Sequence, residues 1–168
     1  MPERRYVVRP LVVSYEGYFS ARELYRLITD WFVTKNYDVL EKRADEFVRD
    51  EKKQIIWQVE NDRRINDYIK HIIGVTMTAT DVRDVTVEVD GRKRKLQHGH
   101  VQVRFIAFVD SDLEGKWEQY AWRWYIRIVT EKFLLKREFD EHIAEVTKNT
   151  KELRDLVKSY LNVHKHLG

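Results

Sequence analysis

The stretch His98-Gly-His-Val-Gln-Val-Arg-Phe-Ile-Ala-Phe-Val-Asp110 puts Val101, Val103, Phe105, Ala107 and Val109 at every second position, with Gln102 and Arg104 between them. Successive side chains on a strand point to opposite faces, so this period of two predicts a strand with one face buried. The same period runs from about residue 37 to 130, predicting strands near 37–48, 54–61, 67–80, 83–90, 98–110 and 117–130. Residues 92–97 read either as a short strand or as an irregular return. In 117–130, Tyr120, Trp122, Trp124, Ile126 and Ile128 alternate with Gln119, Arg123 and Arg127. This enrichment in aromatic and β-branched residues favours strand over helix.

Turn chemistry separates these runs. Asn61-Asp62-Arg63-Arg64 reads as a polar corner, and Ser111-Asp112-Leu113-Glu114-Gly115 as a hairpin loop. Asp90-Gly91 is a strong two-residue hairpin signal, because glycine accepts positive φ without strain.

Outside the alternating region the pattern changes. Residues 5–15 read as a first strand, in which Pro10 marks an edge or a bulge, and Glu16-Gly17 breaks the pattern. Ser20 followed by Glu23 forms a capping box, in which each side chain satisfies a backbone donor left free at a helix start. Leu24, Leu27, Ile28, Trp31 and Phe32 follow at helical spacing, and Asn36 marks the end. Helical spacing returns from about 131 with Leu135, Phe139, Ile143, Val146, Leu153, Val157 and Tyr160. A break is expected at Thr147-Lys148-Asn149, where Asn149 would cap a new start with Glu152 three residues on.

The expected fold is therefore α+β: a curved antiparallel meander of six to seven strands packed on a long C-terminal helix, with one helix after the first strand. Residues 1–168 form a single domain. This element order resembles the helix-grip fold of START-type lipid-transfer and pollen-allergen-like proteins, whose sheet wraps a terminal helix. The resemblance spans nearly the whole chain and rests on element order. It implies an apolar cavity between sheet and helix, and it carries over no residue role. Trp57, Trp122, Trp124, Phe139, Val146 and Leu153 are the expected lining.

Composition narrows the function. The 168 residues are 43% hydrophobic and 35% charged, with 31 basic against 28 acidic groups and a formal charge of +3. Such balance describes a charge-laced surface better than a dedicated polyanion binder. With no cysteine, disulfides, thiolate metal sites and cysteine nucleophiles are excluded. Abundant Glu, Lys and Arg beside few Gly, Pro and Met suggests a heat-adapted, archaeal source. The start of the chain lacks the apolar block of a signal peptide, and no run approaches a membrane span, so a cytoplasmic address is expected.

The chemistry-bearing residues are sparse. His98 and His100 share a strand face, but no spacing supplies a third ligand, so no metal site and no cofactor are expected. His164-Lys165-His166 suits the negative end of a helix dipole. Arg92-Lys93-Arg94-Lys95 is the densest basic run, and a continuous meander would set it beside Arg63 and Arg64 as an anion-binding pole. That pole would meet phosphates or drive head-to-tail association. Trp122 and Trp124 read as core, leaving Tyr125 between Arg123 and Arg127 as the candidate stacking residue. Asp81, Asp84, Glu88 and Asp90 offer paired carboxylates in a chain already rich in acids. Ser14, Ser20, Ser111 and Ser159 lack a nucleophile-elbow context, and the six glycines cannot build a phosphate loop.

The residues favour a non-catalytic binding, carrier or scaffold domain holding a small apolar ligand. The alternatives are a homo-oligomeric interaction module and nucleic-acid binding through the basic pole. Nothing supports an enzyme.

Overall fold

The alternation at 98–110 belongs to a longer strand of 20 residues. A computed structural model of the chain describes residues 3–111 and 136–167. The expected strand at 117–130, with Trp122, Trp124 and Tyr125, lies outside the described residues, as do Leu135 and residues 112–115 of the expected hairpin loop.

The elements are β1 (Glu3–Phe19), α1 (Ala21–Thr34), β2 (Asp38–Arg49), β3 (Lys52–Arg64), β4 (Ile69–Val89), β5 (Arg92–Ser111) and α2 (Lys136–His164), closed by a 3-10 turn at Lys165–Leu167. The strands form one antiparallel sheet in the order β1-β5-β4-β3-β2. The α+β class and the antiparallel sheet match expectation. Among the described residues the sheet has five strands, not six or seven: the expected strand at 117–130 lies outside them, and one expected break is not a break. The runs 67–80 and 83–90 are one strand, β4, interrupted by a bulge between Thr80 and Arg83 at which Asp81 takes φ 53°. Residues 92–97 pair regularly with 84–89 and so extend β5. Gly99 makes that bulge fit: a Cβ there would lie 2.9 Å from the Thr80 carbonyl oxygen and 3.0 Å from the Val82 Cα.

Local signals explain most element ends. Ser20 caps α1 by accepting from the Glu23 backbone N–H at 3.2 Å. The reciprocal half of the box is not made, since the Ser20 N–H donates to the Tyr160 hydroxyl instead. Asn36, at φ 59°, closes the helix in a Schellman motif: Tyr37 N–H donates to the Phe32 carbonyl and Asn36 N–H to Val33. Asp90 and Gly91 both adopt positive φ, as a type I′ hairpin requires. Asp50 and Glu51 do the same between β2 and β3 without a glycine to announce it. Pro10 sits near two register shifts on β1, an edge strand of the described sheet.

One face of the sheet carries the core. Ile69, Ile73, Val75, Met77 and Ala79 of β4 and Val101, Val103, Phe105, Ala107 and Val109 of β5 are buried together with Leu24, Ile28 and Phe32 of α1 and Val146, Leu153, Val157 and Leu161 of α2. α2 lies across β1, β5 and β4 and touches α1. Its 29 residues run unbroken, about 44 Å long. Asn149 is thus not a cap. It lies buried in mid-helix beside Thr150, whose hydroxyl donates to the Val146 carbonyl at 2.7 Å. No helix among the described residues is long and apolar enough to cross a membrane.

Candidate functional site

At the end of the sheet where β3 turns into β4, the core face changes from greasy to polar. The turn lies at 65–68, later than the expected corner at 61–64. Asn66 builds it by accepting the Tyr68 and Ile69 backbone N–H groups, each at 2.8 Å. The run Asn61–Arg64, polar enough to pass for a loop, is strand because each side chain finds a partner. Asn61 is buried and donates to the Ile73 carbonyl at 3.1 Å. Asp62 pairs with Lys70 at 2.9 Å, and Arg64 with Asp67 at 3.2 Å.

Arg63 is the most heavily engaged of the four. It stands directly across the ladder from His71 of β4, which is fully buried. α2 adds His142 and Glu145, one turn apart. The Arg63 guanidinium donates to Glu145 Oε1, donates to the Lys35 carbonyl at 3.3 Å, and lies 5.2 Å from the centre of the Tyr37 ring. Its second terminal nitrogen is 3.4 Å from His71 Nδ1, and His71 Nε2 is 3.1 Å from His142 Nδ1. Arginine only donates, so His71 Nδ1 accepts and its ring proton sits on Nε2, donated in turn to His142 Nδ1. The result is a directional chain of two imidazoles anchored on one guanidinium.

The electrostatics agree with this assignment. Burial lowers the His71 pKa from 6.5 to about 4, with the Glu145 carboxylate opposing the shift and the Arg63 charge adding to it. Burial acts to raise Glu145, but the Arg63 hydrogen bond and charge outweigh it, and the carboxyl stays below its ordinary value. Burial raises Tyr37 despite Asn149 and Arg63. The Tyr37 hydroxyl, Asn61 Oδ1 and Arg63 Nε are buried without a hydrogen bond of ordinary geometry among the described residues. Unsatisfied polar atoms cost stability, and their concentration around one cluster is uncommon in a packed core.

One ligand atom from each of His71, His142 and Glu145 lies within 4.8 Å of the other two, the only group of three such residues among the described residues. Lone pairs of two imidazoles and a carboxylate can hold a cation, and the same groups can receive or donate protons to a bound polar molecule.

Apart from Arg63, the residues singled out from sequence fall elsewhere. Trp57, Val146 and Leu153 are buried within the core and Phe139 packs at its margin. The Trp57 indole N–H donates to Glu41 at 3.1 Å, and its ring lies against Tyr25. The anion-binding pole does not form. Because 81–82 is a bulge and not a turn, β4 runs on to Val89 and carries Arg92, Lys93, Arg94 and Lys95 to the end of the sheet opposite Arg63 and Arg64. Arg94 is paired there with Glu23 at 2.9 Å. His98 and His100 are exposed, flanking the glycine that accommodates the bulge. Asp81 and Asp84 pair with Lys52 and Lys53, whose hydrogen bonds hold both carboxyls below their ordinary range, the wrong direction for a general acid. His164 is buried, with Nδ1 3.0 Å from the Tyr160 carbonyl.

His71, His142 and Glu145 were missed. The His-x-x-Glu spacing on a helix was the available signal for two of them, but the two histidines are 71 residues apart and nothing local joins them. Protein-family models give no match to this chain, and no curated protein is detectably similar to it.

Proposed function

We propose that the chain is a non-catalytic binding domain built on the helix-grip plan, and that it takes its ligand at the polar end of the sheet–α2 interface, at Arg63, His71, His142 and Glu145. The sheet order, with β1 beside β5 and α2 lying across both, supports the helix-grip kinship. The observation that carries the site is the placement of a fully buried histidine against a second histidine and a carboxylate, on a face that is otherwise apolar. Apolar side chains of similar volume would stabilise that interface as well or better, so the polar set is the part of the core that stability alone does not call for. The expected ligand shifts accordingly, from a wholly apolar molecule to one that meets imidazole and carboxylate.

Native mass spectrometry of the chain purified from its own host tests this. A mass adduct is expected, and His142→Ala, which removes a half-buried ring at the cluster margin, should abolish it. A bare chain from wild type, or an adduct indifferent to His142→Ala, sinks the reading.

A second reading, homo-oligomerisation, draws on β2. This edge strand of the described sheet exposes Phe47 by 51% and Val48 by 66%, and exposed edges pair unless blunted. The Glu41–Arg43 bulge and the charges at Lys42, Arg43, Asp45 and Glu46 are such blunting devices. A concentration-independent monomer in light scattering would remove this reading. Nucleic-acid binding loses the clustered pole on which it rested.

A further inference from the structure

We infer that His71 Nε2, His142 Nδ1 and Glu145 Oε2 form a three-ligand site for a divalent first-row transition ion of the zinc type. This deepens the binding reading above and rests on it, by naming the ligand.

Two edges of the ligand triangle, both at His142, are close to what such an ion needs. Metal–nitrogen bonds of about 2.0–2.1 Å across a separation of 3.1 Å give a ligand–metal–ligand angle of roughly 100°. Glu145 Oε2 is 3.9 Å from His142 Nδ1, so a side-chain movement of about half an ångström brings it to a tetrahedral edge near 3.3 Å. Two ligands come from successive turns of α2, and the third from an inner strand of the sheet. The site is therefore mounted on regular elements, and the carboxylate, 44% exposed, leaves it open toward solvent. Two imidazoles and one carboxylate select zinc, cobalt, nickel or iron over calcium and magnesium, which require more oxygen donors. A three-ligand set leaves at least one coordination position for water or a further ligand.

Arg63 has two opposite effects. Its hydrogen bond goes to Glu145 Oε1, which leaves Oε2 free and orients the carboxylate as outer partners of metal ligands do. Its charge disfavours a second cation nearby. Binding through His71 Nε2 also moves the ring proton to Nδ1, where the guanidinium, a donor, cannot accept it. The contact given up is long, 3.4 Å, and the guanidinium keeps Glu145, the Lys35 carbonyl and the Tyr37 ring when it withdraws.

The full chain, stripped of metal and titrated with Co2+ and then Zn2+, tests the site. One equivalent of Co2+ should give the visible bands of a low-coordinate centre, and Zn2+ should displace it and raise the melting temperature. His142→Ala and Glu145→Gln, both at partly exposed positions, should keep the wild-type circular dichroism and weaken binding on the order of 100-fold and 10-fold respectively. Replacing His98 and His100 together by alanine should change nothing. Absence of stoichiometric Co2+ or Zn2+ binding up to about a hundred micromolar overturns the site, as does affinity unchanged in both cluster variants. If the host-purified chain carries a non-metal adduct sensitive to His142→Ala, the binding reading survives and the metal is wrong. A bare chain that also ignores Co2+ and Zn2+ ends both.

Discussion

The two ends of the sheet use the same residue types to opposite effect. At the β4–β5 hairpin end, Lys52–Asp81, Lys53–Asp84 and Arg94–Glu23 are solvent-exposed ion pairs. At the β3–β4 end, Arg63 is only 20% exposed, and it ties Glu145 of α2, the Lys35 carbonyl and the Tyr37 ring to a fully buried His71. Water screens the first set, so each pair contributes little. In the second set Arg63 and His71 sit where an unpaired group has nowhere to go, while Glu145 keeps one side in water. Burial, not the identity of the pair, separates a decorative contact from one whose loss is felt across three elements.

The largest expected effect is acid sensitivity of the metal-free protein. The folded state holds His71 near pKa 4 and the unfolded chain near 6.5, so below pH 6.5 unfolding takes up a proton and is favoured. Stability should fall as pH drops from about 6.5 to 4 and then level off, with a loss of up to about 3 kcal/mol. Urea midpoints across this window measure it, and His71→Leu should remove most of the slope. The exposed Asp81 and Asp84, whose carboxyls are lowered by Lys52 and Lys53, act only at more acid pH, where their pairing is lost as pH falls through their lowered values.

Arg63→Met comes next. It removes the donor that faces His71, the Lys35 carbonyl and Glu145, and should cost about 2 kcal/mol by chemical denaturation. A cost under 1 kcal/mol would erase the contrast between the two ends. Gly99→Val drives a side chain into the Thr80 carbonyl and the Val82 backbone, and should cost about 2 kcal/mol while sparing the β3–β4 end. The smallest effect is that of Lys53→Ala, which breaks the exposed pairs to Asp84 and Glu46 and should shift stability by about 0.5 kcal/mol or less.

What could be read in the sequence was local. Ser20, Asn36 and Asp90-Gly91 announce their caps and turn because the backbone conformation each supports is set by one or two residues. The bulge at Asp81 could not be read that way: an aspartate with positive φ looks like a turn until the partner strand, with Gly99 beneath it, shows that pairing resumes. That one misreading multiplied. It divided β4, raised the expected strand number and put the basic run on the wrong end of the sheet. Asn149 misled for the same reason, since a good capping residue in mid-helix is recognisable only once the face it buries is known. The candidate site was the least legible part. Arg63 was noticed for its charge and assigned to a corner, while His71 and His142 carry no spacing signal because α2 and β4 meet only through tertiary packing.

The overhang of the central hairpin has its own consequence. The β3 ladder on β4 stops at Val82 and the β1 ladder on β5 stops at Gln97, so among the described residues Thr86–Val89 and Arg92–Lys95 pair only with each other. Such an arm can unzip from Asp90-Gly91 inward without disturbing the strands behind it. Its amide protons should exchange with solvent through frequent small openings, while those of Val75 and Phe105 wait for the whole domain to unfold.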